Sequence, residues 1–248
     1  MKTIIRSAAL GAALSVSAFA AQAADLGAPR MPIAETISTD FNPWQIRLRA
    51  LAVIPSAGGA VTQLNGAAIA PLGGLGISNS IVPELDITYY FTKNIAVELI
   101  LGVTPHNVRP TGALAGALAS TATIGKTWLL PPTLMLQYHF TNFGAFKPYV
   151  GAGLNYTMFF SQSSAGAMAP GGGGFAYNRF SVAPAAGLAL QVGFDYMIDR
   201  HWGVNLDVKK IFLRSNFKYT DTTGVLATTS GRVTIDPWLI STGITYRF

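Results

Sequence analysis

Two strictly alternating runs between Ile81 and Thr104 constrain this chain more than any other stretch. From Ile81 to Phe91, one face carries Ile81, Pro83, Leu85, Ile87, Tyr89 and Phe91, and the other carries Val82, Glu84, Asp86, Thr88 and Tyr90. After Thr92-Lys93-Asn94 the alternation resumes, with Ile95, Val97, Leu99, Leu101 and Val103 against Ala96, Glu98, Ile100, Gly102 and Thr104. A period of two is the signature of a strand, and the short polar break predicts an antiparallel hairpin. Every carboxylate of the two strands lies opposite the apolar face. In a soluble sandwich the charged face would be wet. In a transmembrane barrel the apolar face meets lipid and the charged face meets the lumen.

Composition decides between the two. The chain is 50% hydrophobic and only 11% charged, yet beyond residue 23 it lacks an apolar run approaching the ~20 residues of a helical span. Apolar residues interleaved with polar ones fit a transmembrane β-barrel instead. At the N-terminus, Lys2 and Arg6 precede an apolar run from Ala8 to Ala20, and Ala21-Gln22-Ala23 supplies small residues for cleavage. This pattern predicts a secretory signal peptide over residues 1–23. Residues 24–248 are then expected to form one barrel domain with a short periplasmic lead-in. Removing Lys2 and Arg6 leaves fifteen basic against eleven acidic residues. That modest excess suits anionic lipid headgroups, and without a basic run interleaved with aromatics nucleic acid is not an expected partner. The chain has no cysteine, which excludes disulfides and thiol chemistry.

Eight alternating segments can be read in order: Trp44–Val53, Ile81–Phe91, Ile95–Thr104, Trp128–Phe140, Lys147–Phe160, Phe180–Tyr196, Trp202–Leu213 and a last one through Trp238 to Phe248. Long connections, near 54–80, 105–127, 161–178 and 214–232, alternate with short ones. The expected fold is all-β: an eight-stranded antiparallel transmembrane β-barrel with short periplasmic turns and four long extracellular loops. Aromatics recur near the segment ends, as interfacial girdles require. In the fifth segment Gly151 and Gly153 point inward; in the sixth, Phe180, Val182, Leu188 and Leu190 are expected to share one face. The run Gly171–Gly174 lacks a following Lys-Ser/Thr and helix start, so it reads as loop and not as a phosphate cradle.

Several stretches also resemble a known family. Val97-Glu98-Leu99, Leu130-Pro131-Pro132-Thr133-Leu134, Lys147 through Thr157 (KPYVGAGLNYT), Gly193-Phe194-Asp195-Tyr196, Asp236-Pro237-Trp238 and the ending Tyr246-Arg247-Phe248 are similar to the OmpW family of outer-membrane proteins. The resemblance runs in order across most of residues 24–248 and leaves mainly loops uncovered. It implies an eight-stranded barrel with a narrow, largely apolar lumen linked to passage of small hydrophobic molecules.

Strand direction layers the lumen. Its outer part is expected to be an apolar vestibule lined by Leu51, Val53, Val82, Ile100, Leu129, Phe159, Ile211 and Leu213. Below it, Arg47, Arg49, Glu84, Asp86, Glu98, Asp207 and Lys209, with Asn155 and Gln191, form an expected ion-paired plug. Alternatively the apolar residues simply fill the lumen, as in other small barrels. A hydrophobic solute stopped by such a plug needs a sideways exit. Prolines, which cannot donate to a ladder, mark candidate openings at Pro131 and Pro132, with Pro184 second. Arg109, Lys126, Arg179, Arg214, Lys218 and Arg232 lie in or beside the long loops and are expected to meet lipopolysaccharide phosphates. The barrel assembly machinery is the expected partner during biogenesis. His106, His139 and His201 lack zinc-like spacing and read as interfacial residues, so no metal or other cofactor is expected. Two other classes stay open: a structural or surface-adhesion barrel, and a lipid-modifying enzyme. The second would need a nucleophile and base in reach; no histidine here has a serine two positions later.

Overall fold

In a computed structural model of the chain, the described residues are 42–112, 115, 123–164, 177–221 and 228–248. The expected signal peptide and nearly all of the lead-in lie outside them, as does Gly171–Gly174. In chain order the strands are β1 (Trp44–Ile54), β2 (Gly58–Leu64), β3 (Ala67–Leu72), β4 (Gly74–Ile77), β5 (Ser80–Tyr90), β6 (Ile95–Gly102) and β7 (Thr104–Thr111). They continue as β8 (Gly125–Leu130), β9 (Thr133–His139), β10 (Phe146–Ser164), β11 (Tyr177–Val182), β12 (Ala185–Met197), β13 (Trp202–Asp221), β14 (Thr228–Thr234) and β15 (Trp238–Arg247).

Eight of these form the transmembrane wall, each antiparallel to its neighbours in the order β1-β5-β6-β9-β10-β12-β13-β15, and β15 pairs back onto β1 to close it. Closure removes the sheet edges, which lipid could not satisfy. The alternation read from sequence sets the two faces. Ile81, Leu85, Leu136, Leu190 and Ile240 are exposed outward, while Glu84, Asp86, Glu98, Gln137 and Gln191 are buried inside. Register aligns the charges, with Arg47 opposite Asp86 and Arg49 opposite Glu84. Aromatic pairs such as Trp44 with Tyr89 and Trp202 with Tyr246 girdle the end that carries the short turns. One of those turns is fastened by Asp199, whose Oδ1 accepts the N–H groups of Trp202 and His201, both at 2.7 Å. The two bonds hold its exposed carboxyl below the usual range.

Gly153 shows how tightly the wall is built. A Cβ there would lie 2.1 Å from the Leu134 carbonyl oxygen and 2.6 Å from the Met135 sulfur, so only glycine fits without moving the neighbouring strand.

The long connections are richer in structure than the sequence suggests. β2, β3, β4, β7 and β14 lie wholly or largely within them, β11 begins in the third, and β10 and β13 run on beyond the barrel wall. One sheet joins β11-β13-β14-β2-β3 and another joins β10-β8-β7-β4. Turn glycines with positive φ, Gly66 at 79° and Gly73 at 55°, chop the first connection into pieces too short for a period to show. The inward residues of these extensions are apolar: Leu75, Val108, Phe217 and Val233 are buried and continue the lumen upward.

Two expected strands are interrupted. Trp128–Phe140 divides at Pro131-Pro132, and Phe180–Tyr196 divides at Ala183-Pro184. The second break shifts the alternation by one, so Phe180 and Val182 point into the lumen and are buried while Leu188 and Leu190 face outward. The expectation that all four share a face is therefore wrong. The histidine expectation also needs correction: His106 and His139 are buried in the lumen, and only His201 is exposed.

Candidate functional site

The seven charged residues expected in the lumen come together at mid-barrel, every one essentially buried. Arg49 is in ion-pair contact with Glu84 Oε1 through Nε at 2.9 Å and with Asp86 Oδ2 through Nη2 at 2.5 Å. Its Nη1 reaches Asn205 Oδ1 at 2.9 Å. Lys209 Nζ bridges Glu84 Oε1 at 3.0 Å and Asp207 Oδ1 at 2.7 Å. Arg47 pairs with Glu98 and forks onto Asp195, from Nε at 3.0 Å and from Nη2 at 2.6 Å. These bonds cross the lumen, because β1 and β12 are not neighbours in the wall. Carboxylates outnumber cations here, and neutral donors take part of the surplus lone pairs. Gln191 and Gln137 donate to Glu98 Oε2, Tyr149 to Asp207 Oδ2, and Thr245 to Asp195 Oδ1. Expensive buried charge is thus offset by ion pairing across the lumen, although Arg49 Nε and Nη2, both Asp86 oxygens and Asp207 Oδ1 make their contacts without hydrogen-bond geometry. Of the two neutral residues expected beside it, Gln191 joins the network, whereas Asn155 bonds instead to Thr133 and Thr157 just above it.

Sequence reasoning missed Asp195, Tyr149, Gln45, Tyr90 and Asn205. Asp195 was findable: it shares the parity of Gln191 and Gly193 along β12 and therefore had to face inward. Below it, Gln45 donates to Asp195 Oδ2 at 3.2 Å, and Tyr90 donates to Gln45 Oε1 at 2.9 Å.

Above this floor the lumen turns apolar. A cavity of about 40 Å³, the space open to the centre of a water-sized sphere, is lined by six of the expected residues: Leu51, Val53, Ile100, Leu129, Ile211 and Leu213. A second of about 20 Å³ lies farther out, against Leu129, Phe159, Phe180, Val182 and Phe217. Val82 belongs to the same apolar cluster without lining either cavity. Ile77, His106, Leu129 and Ile235 border both and form a waist between them. Side chains fill most of this chamber.

The wall beside the lower cavity is weakly laced. Pairing of β9 with β6 ends at Thr133 opposite Ile100, and pairing of β8 with β7 begins at Leu129 opposite Thr104. Leu101–Val103 and Leu130–Pro132 thus face each other without a ladder. On the opposite side, pairing with β5 stops at Glu84 opposite Gly102. Gly102 and Pro131 both line the lower cavity, so the cavity reaches the wall where hydrogen bonds are missing. The break at Pro184 differs. There Gln162 donates to the Phe159 and Val182 carbonyls and accepts from Val182 N at 2.7 Å, tying β10 to β11. Pro184 itself lines neither of the two lumen cavities.

The basic residues divide into two exposed groups. Arg179, Arg214, Lys218 and Arg232 share the outward face of the β11-β13-β14 sheet, and Arg109 and Lys126 lie on β7 and β8.

A closed wall of eight antiparallel strands, apolar outside and charged within, defines a bacterial outer-membrane β-barrel. A model of the OmpW family matches residues 43–248, and the chain belongs to that family. It is 48% identical to the outer-membrane protein y4mB of Sinorhizobium fredii, over 97% of this chain and 95% of that one. It is 30% identical to the dibenzothiophene metabolism operon protein PahQ of Pseudomonas aeruginosa, over 89% and 95%. Among solved structures, the outer-membrane protein OprG of Pseudomonas aeruginosa superposes with a TM-score of 0.71 at 28% identity, covering 83% of this chain and 95% of that one.

Proposed function

We propose that this barrel admits small hydrophobic molecules at its outer end and releases them sideways into the bilayer. The observation that carries the reading is an apolar cavity lying directly on a buried ion-paired floor and reaching the wall at Gly102 and Pro131. An apolar solute held in the chamber gains roughly 25 cal/mol per Å² of buried surface and would lose it on entering the charged layer. The unlaced interval offers the path that avoids that loss. A relative named for a dibenzothiophene metabolism operon supports a link to apolar compounds. Contact with lipopolysaccharide through the six basic residues, insertion by the barrel assembly machinery, and export on the signal peptide over residues 1–23 belong to the same proposal.

The small cavities favour a second reading, in which the apolar residues only fill the lumen of a structural barrel. Vesicles with a lipopolysaccharide outer leaflet, which slows hydrophobic entry, separate the two. The channel reading expects the protein to speed entry of an alkane but not of a small sugar. It also expects Pro131→Ala/Pro132→Ala, if it folds, to reduce that entry. No acceleration over protein-free vesicles would leave the filled barrel standing, and undiminished entry through the double variant would place the exit elsewhere.

A further inference from the structure

We infer that His106 is the specificity-determining contact of the chamber, selecting slender apolar solutes that carry a hydrogen-bond donor, such as long-chain alcohols. The inference rests on the chamber being a solute-binding space and names the solute class it takes.

His106 sits on β7 with its ring buried at the waist of the chamber. Its Nδ1 lies 2.7 Å from the Ser78 carbonyl oxygen. A carbonyl can only accept, so Nδ1 carries the proton; burial of the ring in an apolar enclosure disfavours its charged form, and the neutral ring presents Nε2 as a bare acceptor. Among the described residues Nε2 has no hydrogen-bond partner. The ring borders both cavities, and the other waist residues, Ile77, Leu129 and Ile235, are hydrocarbon.

Most other polar side chains around the lower cavity are already engaged. Glu84 is held by Arg49 and Lys209. The Thr133 hydroxyl donates to the Pro131 carbonyl at 3.0 Å, and the Thr157 hydroxyl donates to Asn155 Oδ1 at 2.7 Å. An acceptor left unpaired in an apolar enclosure is unfavourable, and a matching donor on a solute relieves it. A solute whose chain lies against Ile100, Ile211 and Leu213 can place its O–H at Nε2, with the Thr104 hydroxyl bordering the same cavity. An alkane of equal length fills the same space and leaves Nε2 bare.

The test compares decanol with decane in lipid nanodiscs holding the full chain. The δ1-methyl NMR signals of Ile77, Ile100, Ile211 and Ile235, which surround the lower cavity, report binding as solute mole fraction rises. His106→Leu is expected to weaken decanol binding by about 2- to 10-fold, the range of one neutral hydrogen bond, and to leave decane unchanged. His106→Gln, which keeps an acceptor, should retain most of the preference. Equal effects of His106→Leu on both solutes would overturn the inference while leaving the chamber reading intact. If neither solute shifts these methyls in the unaltered protein, both readings are overturned. Should His106→Leu fail to fold, the unaltered protein still decides. Corrected for bilayer partitioning, decanol must bind about 2- to 10-fold more tightly than the methyl ether of nonanol, and parity refutes the assignment.

Discussion

Removing Arg49 should damage the barrel far more than removing either carboxylate it binds. The reason lies in how partners are shared. Glu84 keeps Lys209 at 3.0 Å when Arg49 is lost, but Arg49 is the one cation in ion-pair contact with Asp86 among the described residues. Neither Asp86 oxygen accepts a hydrogen bond among the described residues. Arg49→Gln therefore strands a buried carboxylate, at ~3–5 kcal/mol. Asp86→Asn leaves Arg49 with Glu84 and Asn205 and should cost about 1 kcal/mol. In Arg49→Gln/Asp86→Asn the stranded charge is gone, so the double variant should be more stable than Arg49→Gln alone by about 1–3 kcal/mol. The companion pair Arg49→Gln/Glu84→Gln should recover less, because it leaves Asp86 stranded. Reversible urea unfolding from lipid vesicles, followed by tryptophan fluorescence, reads these differences. Additivity of Arg49→Gln and Asp86→Asn within about 0.5 kcal/mol would refute the argument.

Gly153→Ala should lower the folded fraction seen as a heat-modifiable band on gels, since its Cβ meets Leu134 O at 2.1 Å; Gly102→Ala, whose Cβ meets only Pro83 O at 3.5 Å, should fold normally. Gly102→Leu should fold and slow alkane entry by filling the lower cavity at the unlaced wall; unchanged entry would remove Gly102 from the route. Neutralising Arg179, Arg214, Lys218 and Arg232 together should abolish most of the thermal stabilisation given by lipopolysaccharide, and neutralising Arg109 and Lys126 should remove less. Equal stabilisation of all three proteins would show that these residues do not contact its phosphates.

The hairpin from Ile81 to Thr104 was legible because both signals agreed: hydrophobic contrast was high, and every carboxylate fell on the same parity. The same parity rule placed Arg47, Arg49, Asp207 and Lys209 inside the wall. It could not say which charge met which, because Arg47 and Asp195 are joined across the lumen by closure, and no local pattern encodes that distance. Phe180 and Val182 were misplaced because a period read through Ala183-Pro184 assumes an unbroken strand. His106 was misread for a different reason. Thr104, His106, Val108 and Pro110 do alternate inward against Pro105, Asn107, Arg109 and Thr111, but both sets are largely polar or proline, so the period carries no hydrophobic contrast.

The central claim is that an apolar solute occupies the chamber and leaves through the wall beside Pro131. Photolabelling with a diazirine-bearing alkane in lipopolysaccharide-containing vesicles, followed by peptide mass spectrometry, tests it most directly. The account predicts adducts on the lumen residues Leu51, Ile100 and Leu129 and at the unlaced interval on Leu101, Val103 or Pro131. Adducts confined to the lipid-facing belt, at residues such as Leu136, Leu190 and Ile240, would contradict it.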